Sequence, residues 1–341
     1  MPHPRYSGPL LDCHCHFDHG HRDQAPAIAR ANGVAGFVNL WDLEWPPPDF
    51  PSWKAGFGAA PAQEMVLFHT PDLSHVDAPD FADRTRRGVE EATALGAGGL
   101  KVWKNLGLGI RDASGALVAV DDPRLAPVWE AAGDAGLPVA VHTADPVAFF
   151  EPLDERNARY RELSEHPDWW FGRDELPSFC ELLGQFERIV ARHPQTTFVG
   201  VHMGHCAEDL GVVGDMLERL PNYFIDTSAR VGEIGRQDPA VVHDFFVRFQ
   251  DRILFGSDVV RTRALTLPEE GLYAPDLRDF YDLHWQFFET DQPDLTHPFP
   301  IQGAWTVHGI DLPNDVLKRL YHENAARVIP ALATKGSSVA S

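Results

Sequence analysis

The sequence predicts a closed (β/α)8 barrel, the TIM-barrel form of the α/β class, with long inserts after strands 5 and 8. Three observations carry this. Eight short apolar runs are spread along the chain, stretches of helical periodicity separate most of them, and several runs end in His or Asp. Continuous apolar strands belong in parallel sheets covered by helices, and eight such units favour closure over an open sheet. An open doubly wound sheet is the structural alternative, but no G-x-G-x-x-G follows the first run.

The first run, LLDCHCH at 10–16, completes a D-x-H-x-H. Side chains alternate along a strand, so His14 and His16 should project together at its C-terminal end, with Cys13 and Cys15 pointing the other way. The next runs are VAGFVNL (34–40), MVLFHT (65–70), GGLKVW (98–103), PVAVHT (138–143), TFVGVH (197–202), YFIDTS (223–228) and RILFGSD (252–258). Helical periodicity falls at 81–96, 123–136, 178–193 and 239–250, and the stretch 312–329 reads as a closing helix. Two segments, 144–177 and 259–300, break the rhythm, and their aromatic content argues for lids packed over the barrel mouth. Peripheral decoration or oligomer contacts are the alternative for them. Residues 1–332 are expected to form one domain and 333–341 a disordered tail.

The chain has 341 residues, 44% of them hydrophobic, enough for a large core. Lys and Arg number 29 against 50 Asp and Glu, a formal charge of −21, which disfavours nucleic acid or an anionic membrane as partner. A small-molecule substrate fits better. Four cysteines, Cys13, Cys15, Cys180 and Cys206, are too few and too irregular for a disulfide scaffold or a zinc ribbon. With no signal-like opening and no apolar run of about 20 residues, the expectation is a cytoplasmic protein.

His142 ends the fifth run, His202 the sixth and Asp258 the eighth. With His14 and His16 they form five metal-competent residues on the rim where this fold builds its active sites. The chain here resembles the amidohydrolase superfamily, in particular its amidohydrolase-related branch that includes aminocarboxymuconate-semialdehyde decarboxylase. The resemblance rests on D-x-H-x-H at 12–16, VHTADP, VHMGH, FGSD at 255–258 and ENAARVI at 323–329. It implies that His14, His16, His142 and Asp258 bind one divalent metal, Zn²⁺ first and Mn²⁺ second. His202 is then catalytic, or a ligand to a second metal that a carboxylated Lys101 would bridge. It also implies a homo-oligomer by family habit.

A divalent ion so held would lower the pKa of its water and polarise a carbonyl, while Asp258 served as general base and His202 stabilised an oxyanion or shuttled protons. A second role for His202, orienting Asp258, stays open. His205 is a weaker alternative to it, because it lies beyond Gly204. Lys101 is read as a bridging carbamate or a pocket ammonium, and Lys104 as less favourably placed for the lumen. Arg230 is read as a fork for a substrate anion or a salt-bridge partner. From the inserts, Trp169 and His284 are the substrate-binding candidates, with Asp145, Phe149 and Phe150 beside them, and His69 is a weaker one.

The leading function is hydrolysis of an amide, lactone or related carbonyl bond of a small carboxylated substrate. Non-oxidative decarboxylation or hydration of an aromatic or dienoic acid is the competitor, and a non-catalytic ligand-binding barrel the third reading. Many decarboxylases of the branch carry Glu where this chain has His14, which favours water chemistry.

Overall fold

A computed structural model describes residues 5–40, 47–58, 64–262 and 276–333. Part of the second insert and residues 334–341 of the expected tail lie outside the described residues. Parallel strands form two sheets, in the order β3-β2-β1-β9 and β4-β5-β6-β7-β8. The strands are β1 Leu10–Phe17, β2 Val34–Leu40, β3 Met65–Leu67, β4 Leu100–Val102, β5 Val139–Val141, β6 Phe198–Gly200, β7 Tyr223–Asp226, β8 Ile253–Leu254 and β9 Val259–Arg261. Backbone bonds join the sheets at both seams. On one side the Lys101 amide donates to the His69 carbonyl at 2.8 Å, and on the other the Cys13 amide donates to the Phe255 carbonyl at 2.9 Å. The ring is therefore closed. Its eighth position is occupied by β8 and β9 in turn, separated by Phe255–Asp258.

The barrel interior is filled by Leu11, Cys13, Val38, Leu40, Val66, Ala140, Val199 and Leu254, against Ala325, Val328 and Leu332 of the closing helical segment. Asn324 of that segment donates to the Gln250 and Ile253 carbonyls, both at 2.7 Å, which explains ENAAR as a structural clasp on the end of β8. Cys13 packs inside while Cys15 packs with Leu10 and Phe17 in the outer layer. The expectation that both cysteines share one face fails, because the β1 register shifts between Asp12 and Cys15. Such a bulge resets the alternation, so His14 and His16 still reach the lumen.

The outer helices follow the sequence closely. Phe179–Arg192 starts at a capping box made by Ser178 and Glu181 and buries Leu182, Phe186, Ile189 and Val190 at helical spacing. Both inserts carry helices of their own, Tyr160–Glu165 in the first and Arg278–Glu289 in the second. No helix among the described residues is long and apolar enough to cross a membrane.

Candidate metal centre

The strand ends bring two triads together, His14, His16 and Asp258, and His142, Asp145 and His202, whose potential ligand atoms lie within 4.8 Å of one another in each. His14 Nε2 and His16 Nε2 stand 3.4 and 3.2 Å from Asp258 Oδ1, and His142 Nε2 stands 2.6 Å from Asp145 Oδ1. The two triads are contiguous, with the His202 ring 5.1 Å from that of His14 and 4.3 Å from that of His142.

Hydrogen bonds behind the rings define which nitrogen faces the centre. His14 Nδ1 donates to Asp226 Oδ2 at 2.8 Å, and His202 Nδ1 donates to the Ser228 carbonyl at 2.9 Å. Each tautomer leaves the Nε2 lone pair facing inward. His14 Nε2 is buried without a hydrogen-bond partner, while His142 Nε2 and Asp145 Oδ1, also buried, face each other. Buried polar atoms are normally satisfied, and a set of convergent lone pairs is satisfied by a cation. The residues present therefore fit a divalent metal.

The backbone is strained where it places these groups. Ala144, His202, Met203, His205, Ala229 and Asp258 have positive φ although none is glycine, and all six follow strands β5 to β8. Each costs on the order of 1–2 kcal/mol, which persists only where surrounding contacts impose it. Asp12 supplies such contacts: its carboxylate accepts from the His14 and Ser257 amides, the Ser257 hydroxyl and the Tyr281 hydroxyl. Gly256 is required because a Cβ there would meet the His14 Cβ at 2.8 Å. Asp226 accepts from the His202 amide at 2.9 Å with its second oxygen.

Burial and neighbouring charge fix the protonation states. Burial pushes the Asp258 carboxyl up, but His14, His16 and Lys101 outweigh it and hold the group at about 2. Burial depresses His142 to about 3, and His202 well below the ordinary imidazole value, so both are neutral. The Lys101 ammonium is pushed down to about 8 by burial, opposed by Asp226, Asp258 and Asp145.

A cavity of about 470 Å³ opens above the centre, lined by His16, His142, His202 and Asp258 at its base. The first insert contributes Phe149, Arg159, Trp169 and Phe171, and Phe299 and Ile301 come from the far end of the second insert and the residue after it. Of the four substrate candidates, Trp169 and Arg230 reach this cavity. Arg230 does so while paired with Asp145, to which Nε donates at 2.7 Å, and the ion-pair alternative is the one observed. Lys101 does not line it: the side chain is buried beneath, with Nζ 4.7 Å from the Trp103 ring. His284 also stays away, because the helix Arg278–Glu289 turns it into the core against Phe255 and Phe280, with Nδ1 donating to the Phe280 carbonyl. His205 points into the helix layer, donating through Nε2 to the Val141 carbonyl and packing on Phe186. His69 lies against Phe50 outside the lining. The cavity-facing lysine is Lys104, since β4 ends at Val102 and strand alternation does not govern the turn that follows. Sequence reasoning also missed Asp226, although a carboxylate ending the seventh apolar run carried the same signal as Asp258.

A family model described as Amidohydrolase matches residues 11–331. No curated protein matches. Among solved structures, an uncharacterised TIM-barrel protein from Bordetella bronchiseptica is similar with a TM-score of 0.57 and 14% identity, covering 95% of this chain and 99% of that one. A 2,6-dihydroxybenzoate decarboxylase complexed with 2,6-dihydroxybenzoate gives 0.54 and 16%, with the same coverage. Dihydroorotase from Campylobacter jejuni gives 0.52 and 13%, covering 94% of this chain and 82% of that one. At such identities these likenesses concern the fold. Matched from its first barrel strand to its closing helix, the chain belongs to the amidohydrolase family.

Proposed function

We propose that this amidohydrolase-family enzyme is a metal-dependent hydrolase that opens an amide, lactone or related carbonyl bond of a small carboxylated substrate. The observation that carries the reading is the gathering of His14, His16 and Asp258 into one triad, contiguous with the triad of His142, at and beneath the cavity floor, with the His14 Nε2 lone pair left unsatisfied. These four would hold one divalent ion, Zn²⁺ in first place and Mn²⁺ second, since mixed imidazole and carboxylate donors suit both. When bound, the ion would polarise the substrate carbonyl and bring the pKa of water toward neutrality. Asp258, ionised at neutral pH, accepts the proton of the attacking water. His202 is neutral with an unprotonated Nε2, which suits it to accepting a hydrogen bond from the attacking water and not to donating toward an oxyanion. Arg230 neutralises Asp145 and keeps it from competing as a base.

One metal is the first reading, with a second ion bridged by a carboxylated Lys101 as the alternative; as the free ammonium, Lys101 offsets Asp226, Asp258 and Asp145. A second reading draws on the aromatic walls, Trp103, Phe149, Trp169 and Phe171, which suit an aromatic or dienoic acid undergoing decarboxylation or hydration. The free thiols support a cytoplasmic setting, and family habit a homo-oligomer with residues 1–332 as one domain.

The test is to measure metal content after native purification, then incubate the loaded protein with lactones, amides and aromatic or dienoic acids, following acid release against CO₂. Hydrolysis of the first two classes is expected, and His142→Ala and Asp258→Asn should each abolish it without loss of fold. CO₂ release alone would favour the second reading, and full activity in either variant would overturn the site.

A further inference from the structure

Three basic side chains line the cavity, and two of them are already spoken for. Arg159 donates to Glu162 Oε2 at 2.8 Å and to Glu233, and Arg230 donates to Asp145. Lys104 is different. Its Nζ lies 4.8 Å from the centroid of Phe149 and 5.3 Å from that of Phe171, and among the described residues it has no hydrogen-bond or ion-pair partner. Two aromatic faces hold an ammonium in place and screen it from water, yet they satisfy none of its three N–H donors. The first insert supplies both rings, so the insert itself builds this position.

We propose that Lys104 is the anion subsite of the cavity and that the substrate is a monocarboxylate with a planar, unsaturated body. Resting on the hydrolase reading above, this deepens it by stating where the carboxylate goes. The carboxylate docks on Nζ, the planar body lies along Phe149, Phe171 and Trp169, and the reacting carbonyl is left to the histidine floor. Arg159 and Arg230 do not compete for the anion, because taking it would strand Glu162, Glu233 or Asp145 as unpaired buried carboxylates.

Benzoate and its neutral relative benzyl alcohol serve as probes, with binding to metal-loaded wild type, Lys104→Met and Lys104→Arg followed by calorimetry and metal content measured in each. A charge-assisted contact implies that benzoate binds Lys104→Met roughly 10- to 100-fold more weakly, with benzyl alcohol unchanged and benzoate affinity largely restored in Lys104→Arg. Equal benzoate binding by wild type and Lys104→Met overturns the proposal, as does an equal loss for both probes or no benzoate binding by wild type at all. Turnover is not part of this readout. If benzoate depends on Lys104 while no carbonyl substrate is hydrolysed, the reaction reading fails and the subsite stands. If Lys104→Met hydrolyses a carboxylated ester with unchanged KM, the subsite fails and the reaction reading stands.

Discussion

Replacing Asp226 by Asn tests whether the tautomer of His14, and with it the metal site, is imposed from behind. One oxygen of Asp226 accepts from the His202 amide at 2.9 Å, the Ser228 amide at 3.1 Å and the Ser228 hydroxyl. The other accepts from His14 Nδ1 at 2.8 Å. In Asp226→Asn the amide oxygen is held on the side with three donors, which turns the NH₂ toward His14. His14 then relieves the clash of two donors by moving its proton to Nε2, the atom that faces Asp258, and ceases to be a ligand. Loss of a supporting carboxylate of this kind typically lowers metal affinity about 10- to 100-fold, and the forced tautomer places the expectation at or above the upper end. The charged hydrogen bond itself contributes on the order of 1.5–3 kcal/mol to stability, so a lower Tm accompanies the change. Competition against a chromogenic chelator gives the affinity, with circular dichroism reporting the fold. A folded Asp226→Asn with wild-type metal affinity would refute the argument.

Two further outcomes follow from where buried histidines sit. His284→Phe should leave KM and kcat within about twofold, because the ring packs in the core and not in the cavity, and should alter stability by less than about 1.5 kcal/mol in thermal melts. A tenfold rise in KM would return His284 to the substrate site. Burial depresses His69, His205 and His284 each to about 4, below the value of roughly 6.5 for an exposed imidazole. Between these limits the unfolded chain binds more protons, so stability is full above about pH 6.5 and is lost as pH falls toward 4. Each such histidine contributes up to about 1.4 kcal/mol per pH unit, and denaturant melts of the metal-free protein should steepen accordingly; a flat profile across that window contradicts the neutral assignments.

The barrel and the rim histidines were legible because their signals are local. Apolar runs of strand length, helical periodicity between them and a His or Asp at a run's end depend only on neighbours in sequence, and the fold reproduces them from Leu10 to the Asn324 clasp. FGSD was legible as a motif, while the reason for its glycine, the close approach of His14, was not. What tertiary structure alone decided lies where alternation stops applying. A bulge in β1 brings Cys13 inside beside the imidazoles, left-handed residues after β6 separate His202 from His205, and the turn after β4 exchanges Lys101 for Lys104 at the cavity. The same holds for charge pairing. Arg230 finds Asp145 and His14 finds Asp226 across 85 and 212 residues, and such partners are chosen by which strands are neighbours in the closed ring, a distance that sequence spacing does not encode.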